Sequence, residues 1–134
     1  AGIFLGEGHV IMQTEYSYGP VEVELSEGAH MLPDVPVIIL IDENSASASE
    51  VFAGAMRHHR GTTIVGQKSR GKNTMQNSIL IGNDELNVTT AQWFLPDGSP
   101  LNGGIVPDVI VETDWEAIPL VDTQYQEAVK ILTP

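Results

Sequence analysis

The chain has no cysteine. That excludes disulfides, thiol catalysis and cysteine-held zinc. It leaves the compartment open, since exported bacterial proteins often lack cysteine too. Basic residues are scarce, 6 Lys and Arg against 18 Asp and Glu, for a formal net charge of −12. Non-specific nucleic-acid binding and adsorption to an anionic membrane both need basic surface, so neither is expected. Long apolar runs are missing as well. The longest, Val35 to Ile41, is broken by Pro36 and falls well short of the roughly 18 residues of a membrane span. No signal peptide is visible, and the chain opens at Ala1 rather than at a methionine. Internal repeats and low-complexity tracts are absent. What is present is 134 residues, 42% of them hydrophobic, enough for one domain with a real core.

Taken in order, Ala1 to Gly6 reads as a helix tail closed by a glycine. Val10 to Thr14 is a strand. Tyr18-Gly19-Pro20 is a turn, and Val21 to Leu25 alternates apolar and acidic residues as a half-exposed strand does. Together they can form an edge hairpin. Ser26 to Asp34 is loop; His30 within it and His9 before the first strand each stand alone as surface or packing residues. Val37 to Ile41 shows no alternation. A continuous β-branched run of this length suits a strand buried on both faces, with helices on either side and a largely parallel sheet.

From Ser47 the period becomes helical, with Ala48, Val51, Phe52, Ala55, Met56 and His59 on one stripe. Gly54 within it costs about 1 kcal/mol relative to alanine, which points to close packing by another backbone. Arg57-His58-His59-Arg60 followed by Gly61 is a helix C-terminus with cations in the last turn. Adjacent histidines on a helix diverge, so His58 and His59 are dipole partners rather than a metal pair. Thr62 to Val65 is a second buried strand, completing a right-handed strand–helix–strand unit.

Further strands follow at Asn77 to Ile81 and Leu86 to Leu95, joined by a turn at Gly82-Asn83-Asp84. Leu86, Val88, Thr90, Gln92 and Phe94 would share a face. Pro96-Asp97-Gly98 is a turn. Ile105 to Val111 is extended, and Pro107 confines it to an edge or a bulge. Val121, Tyr125, Ala128, Val129 and Leu132 make a final helical stripe, with Asp122 as N-cap and Lys130 near the C-terminus.

The chemistry concentrates between Pro36 and Lys72. Alone, Ser47-Ala48-Ser49-Glu50 is a capping box with serine at N-cap and glutamate at N3, worth about 1 kcal/mol and needing no reaction. The position adds a second reading. The turn follows a buried strand at the carboxyl edge of a parallel sheet, where α/β folds place their sites. Small neighbours leave room for a substrate carbonyl. The helix N-terminus offers free N–H groups to a developing oxyanion, with the Ala48 N–H the natural donor.

A serine nucleophile needs a base, and no histidine is comparably placed. Lys72 is the candidate, in the loop after the next strand. An ordinary lysine titrates near 10.4 and must fall by about 3 units to serve near neutral pH. Burial and like charge both push it down, and Lys68 and Arg70 are the nearest sources of like charge. Gly71 permits close backbone approach.

These residues carry a resemblance. Glu43 to Val51 with Ala53-Gly54-Ala55, then Ile64-Val65-Gly66, then Gly71-Lys72 with Gln76 four residues on, resemble the tail-specific (C-terminal processing) peptidases. Thr89-Thr90-Ala91, Pro96-Asp97-Gly98 and Gly104-Ile105-Val106-Pro107-Asp108-Val109 continue the match in order. It is strong over residues 36–112 and weak at both ends. It implies an α/β fold like the Clp protease/crotonase core of ββα units, truncated on its N-terminal side. It implies a serine endopeptidase that cleaves protein substrates near apolar, free C-termini through a Ser47/Lys72 dyad. Gln76 would orient the lysine amine and Ala48 N–H would be half of the oxyanion hole. No cofactor and no metal are implied, the partner is a protein or peptide, and the setting is the bacterial periplasm or cell envelope.

Three departures bear on this. Such peptidases usually draw a second oxyanion amide from an upstream Asn-Pro-Gly-Gly-type motif, and none occurs in these residues; nor does a substrate-gating PDZ domain. Residues 1–134 are therefore expected to be a partial catalytic domain. Losing one oxyanion donor costs on the order of 10²–10³ in rate, so the chain alone is expected to be inactive. Ser69 and Arg70 also stand where an aromatic often precedes Gly-Lys. The rival reading is a non-catalytic module binding apolar ligands on the same fold, as the similar interphotoreceptor retinoid-binding proteins do. The intact Ser47, Lys72 and Gln76 set separates the two, because a binding module has no chemical need of it.

Overall fold

The computed structural model describes residues 1–28, 30–32, 34–113 and 122–133. In chain order come α1 (Gly2–Leu5), β1 (Val10–Tyr16), β2 (Glu22–Leu25), β3 (Ile38–Ile41), α2 (Ala48–Arg60), β4 (Thr63–Gly66), β5 (Thr74–Ile81), β6 (Asp84–Phe94), β7 (Val109–Ile110) and α3 (Thr123–Leu132). Two sheets share these strands. One is antiparallel, in the order β2-β1-β6-β5, and the other runs β3-β4-β7 and is parallel throughout.

The strand–helix–strand unit is as the sequence predicts. β3 lies parallel to β4 with Ile39 opposite Ile64, and α2 is the crossover between them. α2 ends where its cations and glycine place the end. Gly61 adopts the left-handed conformation (φ 61°, ψ 30°) and its N–H reaches back to the Arg57 carbonyl at 3.0 Å. Only a residue without a Cβ takes that conformation without strain. The two arginines at that end also tether. Arg57 Nη2 donates to the Val106 carbonyl at 2.8 Å and pairs with Asp108 at 3.1 Å, and Arg60 Nη2 donates to the Val35 carbonyl at 2.8 Å.

The core lies around α2. Ala53, Ala55 and Met56 are wholly buried there with Ile39, Ile41 and Ile64 of the parallel sheet, Trp93 of the antiparallel sheet, and Leu101 and Ile105. Burying a Met or Ile side chain contributes about 1.5–3 kcal/mol, so this cluster is what holds both sheets to one helix. His59 and His9 are packing residues. Their rings meet edge-on at 5.0 Å, and a ring nitrogen of His59 lies 2.7 Å from the Val10 carbonyl.

Several expectations are corrected. β3 is not buried on both faces. Ile39 and Ile41 are, but Leu40 is exposed, because β3 is the edge of its sheet and its free side opens on an apolar groove of about 630 Å³. The parallel sheet is also the smaller of two, since the hairpins form a separate antiparallel layer. What crowds Gly54 is a side chain: an added Cβ would meet Leu95 Cδ2 at 2.5 Å. The alternation assumed along β6 breaks at a bulge opposite Met75–Gln76, and the buried residues are Ala91 and Trp93 rather than the Leu86 series. On α3, Asp122 caps as predicted, its Oδ1 accepting from Tyr125 N–H at 2.9 Å. Ala128 of the expected stripe is buried, but its buried companion is Gln124, while Tyr125, Val129 and Leu132 are exposed. Val121 lies outside the described residues. β7 is a two-residue edge strand, the place Pro107 allows.

Candidate active site

The turn that presents Ser47 is built locally. Asp42 Oδ1 accepts from the Asn44 and Ser45 amides at 3.0 and 2.8 Å and from the Ser45 hydroxyl at 2.9 Å. This Asx-type turn folds the chain back at the end of β3. Ser47 then stands at the N-cap of α2, exposed, with φ 54° and ψ −113°. An ordinary N-cap is extended. This conformation is glycine-like and costs a residue with a Cβ about 1–3 kcal/mol, so the surroundings must hold it. The capping box read from the sequence is present, but the serine's backbone is not that of an ordinary cap.

What holds it is Glu50. The side chain is completely buried. Oε2 accepts from the Ser47 amide at 2.8 Å and from the Lys72 amide at 3.1 Å; Oε1 accepts from the Gly71 amide at 2.7 Å and from the Ser69 hydroxyl at 2.5 Å. Ser47 and Lys72, 25 residues apart in the chain, thus hang from one oxygen atom. Their backbone nitrogens are no farther apart than the two bonds allow, about 6 Å. Ser69 passes the connection on, its hydroxyl accepting from the Ile105 amide at 2.7 Å. Trp93 Nε1 donates to the Lys72 carbonyl at 3.1 Å, so both backbone groups of Lys72 are anchored. At Gly71 (φ 83°) an added Cβ would lie 2.3 Å from the Gly103 carbonyl carbon, which is the close approach the sequence reading assigned to it.

Beside Ser47 is a pocket of about 310 Å³, lined by Ser47, Ala48, Val51, Phe52, Met75 and Trp93 with Ile11 and Met12 behind them. Apart from the serine it is apolar. Ala48 is the first residue of α2, and among the described residues its N–H has no acceptor, which leaves it pointing out of the helix start. The Lys72 side chain is exposed, as is Gln76, two residues into β5. Among the described residues neither the Lys72 amine nor the Gln76 amide makes a hydrogen bond, so Gln76 is near Lys72 in sequence without holding it. Of the like charges expected beside Lys72, Arg70 is engaged by a side-chain oxygen, its Nη2 donating to Asn44 Oδ1 at 3.2 Å, and Lys68 Nζ lies by Gly103.

Glu50, Ser69, Met75 and Trp93 were not singled out as site residues from sequence. Glu50 was visible only as the third residue after a serine, a pattern that capping explains. Nothing in the sequence marks a glutamate as fully buried. Among the described residues no cluster of three or more histidines and carboxylates could hold a metal ion.

The family model for Peptidase family S41 matches residues 1–111. A carboxy-terminal-processing protease of Bartonella bacilliformis is 38% identical over 111 residues, covering 81% of this chain and 26% of that protein. A "Probable CtpA-like serine protease" of Staphylococcus epidermidis is 37% identical over 116 residues, covering 84% and 24%. Among solved structures, a photosystem II D1 C-terminal processing protease superposes with a TM-score of 0.71 at 26% identity, over 82% of this chain and 29% of that one. The fold is accordingly of the Clp protease/crotonase type. The chain spans about a quarter of the length of the curated relatives it matches. With the matched segment taking in both sheets, α2 and the Ser47–Lys72 turn system, this chain belongs to peptidase family S41.

Proposed function

We propose that residues 1–134 carry the dyad of a serine endopeptidase that trims protein substrates near apolar, free C-termini. Ser47 Oγ attacks the scissile carbonyl carbon while its proton passes to Lys72 Nζ. The carbonyl oxygen becomes an oxyanion that accepts from Ala48 N–H. Collapse expels the amine, which takes the proton from Lys72. Water then hydrolyses the acyl-enzyme, with Lys72 again the base. Gln76 orients the amine once substrate is bound, and the apolar pocket receives the side chain beside the scissile bond.

The observation that carries this reading is the shared Glu50 oxygen, which holds a strained, exposed serine and a lysine loop in one fixed relation. A cap alone has no use for strain. The test is phosphonylation of Ser47 by a fluorophosphonate, with loss of fluoride, read by mass spectrometry, together with casein degradation by the full-length protein. Both are expected to disappear in Ser47→Ala, and Lys72→Ala is expected to abolish degradation without unfolding. Undiminished degradation in either variant would sink the dyad. Tight binding of apolar ligands with no labelling of Ser47 would favour the binding-module reading instead. The setting proposed with this activity is the periplasm or cell envelope, which fractionation tests.

A further inference from the structure

β5 is the outermost strand of the antiparallel sheet. Natural edge strands are usually blunted by charge, proline or shortness, because their open N–H and C=O groups recruit other strands. β5 has none of these protections. Its eight residues, Thr-Met-Gln-Asn-Ser-Ile-Leu-Ile, carry no charge and no proline. Its far half is apolar and open to solvent, with Leu80 78% exposed and Ile81 59%.

The register says which groups face outward. A two-residue turn at Gly82-Asn83 places Ile81 opposite Asp84. The pair that closes such a turn exchanges both main-chain bonds, and bonded pairs then alternate along the hairpin. Asn77, Ile79 and Ile81 therefore bond to β6, while Gln76, Ser78 and Leu80 turn their N–H and C=O to the free side. The side chains agree. Ser78 Oγ reaches Asn87 Oδ1 at 2.5 Å, and side chains come closest across a non-bonded pair. Among the described residues no other strand takes these outward groups.

This edge runs out of the candidate site. Met75 lines the Ser47 pocket and Lys72 lies just before β5. Gln76 to Leu80 extends the edge by about 14 Å at roughly 3.4 Å per residue. We propose that the free edge of β5 takes the extended main chain of the substrate polypeptide as an added strand, leading it between the Ser47 pocket and the hairpin tip. The proposal rests on the peptidase reading of Ser47. Main-chain pairing is tolerant of sequence, and Leu80 and its neighbours favour uncharged, apolar segments, the composition of an unfolded core strand.

The probe is an uncharged peptide of about ten residues, long enough to span the edge. Amide hydrogen exchange is followed residue by residue by NMR. Binding is expected to protect Gln76, Ser78 and Leu80 and to leave the already bonded Asn77 and Ile79 unchanged. Ser78→Pro, which removes one outward N–H, is expected to weaken binding about five-fold with thermal stability kept. N-methylation of the peptide at alternate amides is expected to do the same, while methylation one residue out of phase is tolerated, and this arm does not depend on folding of a variant. Absence of the alternating protection, or equal tolerance of every N-methyl position, overturns the proposal. So does concentration-dependent protection of the same amides without peptide, accompanied by dimer in sedimentation, which would assign the edge to a second copy. Fluorophosphonate labelling of Ser47 is read separately. Labelling without edge protection rejects only the edge, and edge protection without labelling rejects only the peptidase.

Discussion

Glu50→Gln changes one atom and leaves the size of the side chain alone, so it isolates the role of the carboxylate. The native side chain accepts from three backbone amides and one hydroxyl. Glutamine offers one oxygen and one NH₂. The NH₂ is best tolerated at the Oε1 position, because the Ser69 hydroxyl can turn and accept from it. The Gly71 amide cannot turn and is left facing another donor. Keeping the oxygen at the Oε2 position preserves the bonds to Ser47 and Lys72, now to a neutral acceptor. A hydrogen bond to a charged group is worth about 1.5–3 kcal/mol and an unsatisfied buried donor costs about 1–3, so the loss comes to about 3 kcal/mol. For a domain of this size that lowers Tm by about 10 °C. Thermal unfolding by circular dichroism measures it. Because the same carboxylate holds the Ser47 backbone at φ 54°, the fluorophosphonate rate is expected to fall as well, under conditions where the variant is still folded. An unchanged Tm with an unchanged labelling rate would refute the assignment of Glu50 as the hub.

Ser47→Gly is expected to raise stability over Ser47→Ala by about 1–2 kcal/mol, since glycine adopts φ 54°, ψ −113° freely and alanine does not. A lower Tm for the glycine variant would show that the serine is not strained. Gly71→Ala is expected to destabilise by roughly 3 kcal/mol or more and to abolish Ser47 labelling, because the new methyl meets backbone 2.3 Å away at Gly103 and φ is 83°. Retained labelling in a folded Gly71→Ala protein would contradict that. Asp97 is held below the usual carboxylate range, first by the Ser99 hydroxyl and then by the Ser99 amide. A carboxylate depressed in the folded state adds stability above its unfolded value, near 3.9, and that contribution fades as pH falls through the lowered folded value. NMR titration should show Asp97 ionising below free aspartate, and Ser99→Ala should bring it back toward that value; the group is exposed, so the effect on overall stability is small.

Local chemistry made much of the chain legible. Arg57-His58-His59-Arg60-Gly61 ends a helix wherever it occurs, because the dipole favours cations and glycine accepts positive φ. Gly82-Asn83 makes a hairpin for a similar reason, and Asp122 a cap. The order of strand, serine turn, helix, strand and Gly-Lys also sufficed to bring Ser47 and Lys72 to the same sheet edge, since a right-handed crossover between adjacent parallel strands leaves no other arrangement. Neighbours distant in sequence decided the rest. Burial of Leu40 depends on whether another strand lies beside β3, and an apolar run reads the same at an edge as at the centre of a sheet. The face that α3 buries follows from where β3 and β4 lie beneath it, which puts Gln124 rather than Tyr125 on the inward side with Ala128. The bulge opposite Met75–Gln76 reverses which side of β6 is inward. Most of all, a glutamate at N3 is worth about 1 kcal/mol as a cap in any helix. Only when the Ser69–Lys72 loop closes over it does that carboxylate become the group from which both the candidate nucleophile and the candidate base are hung.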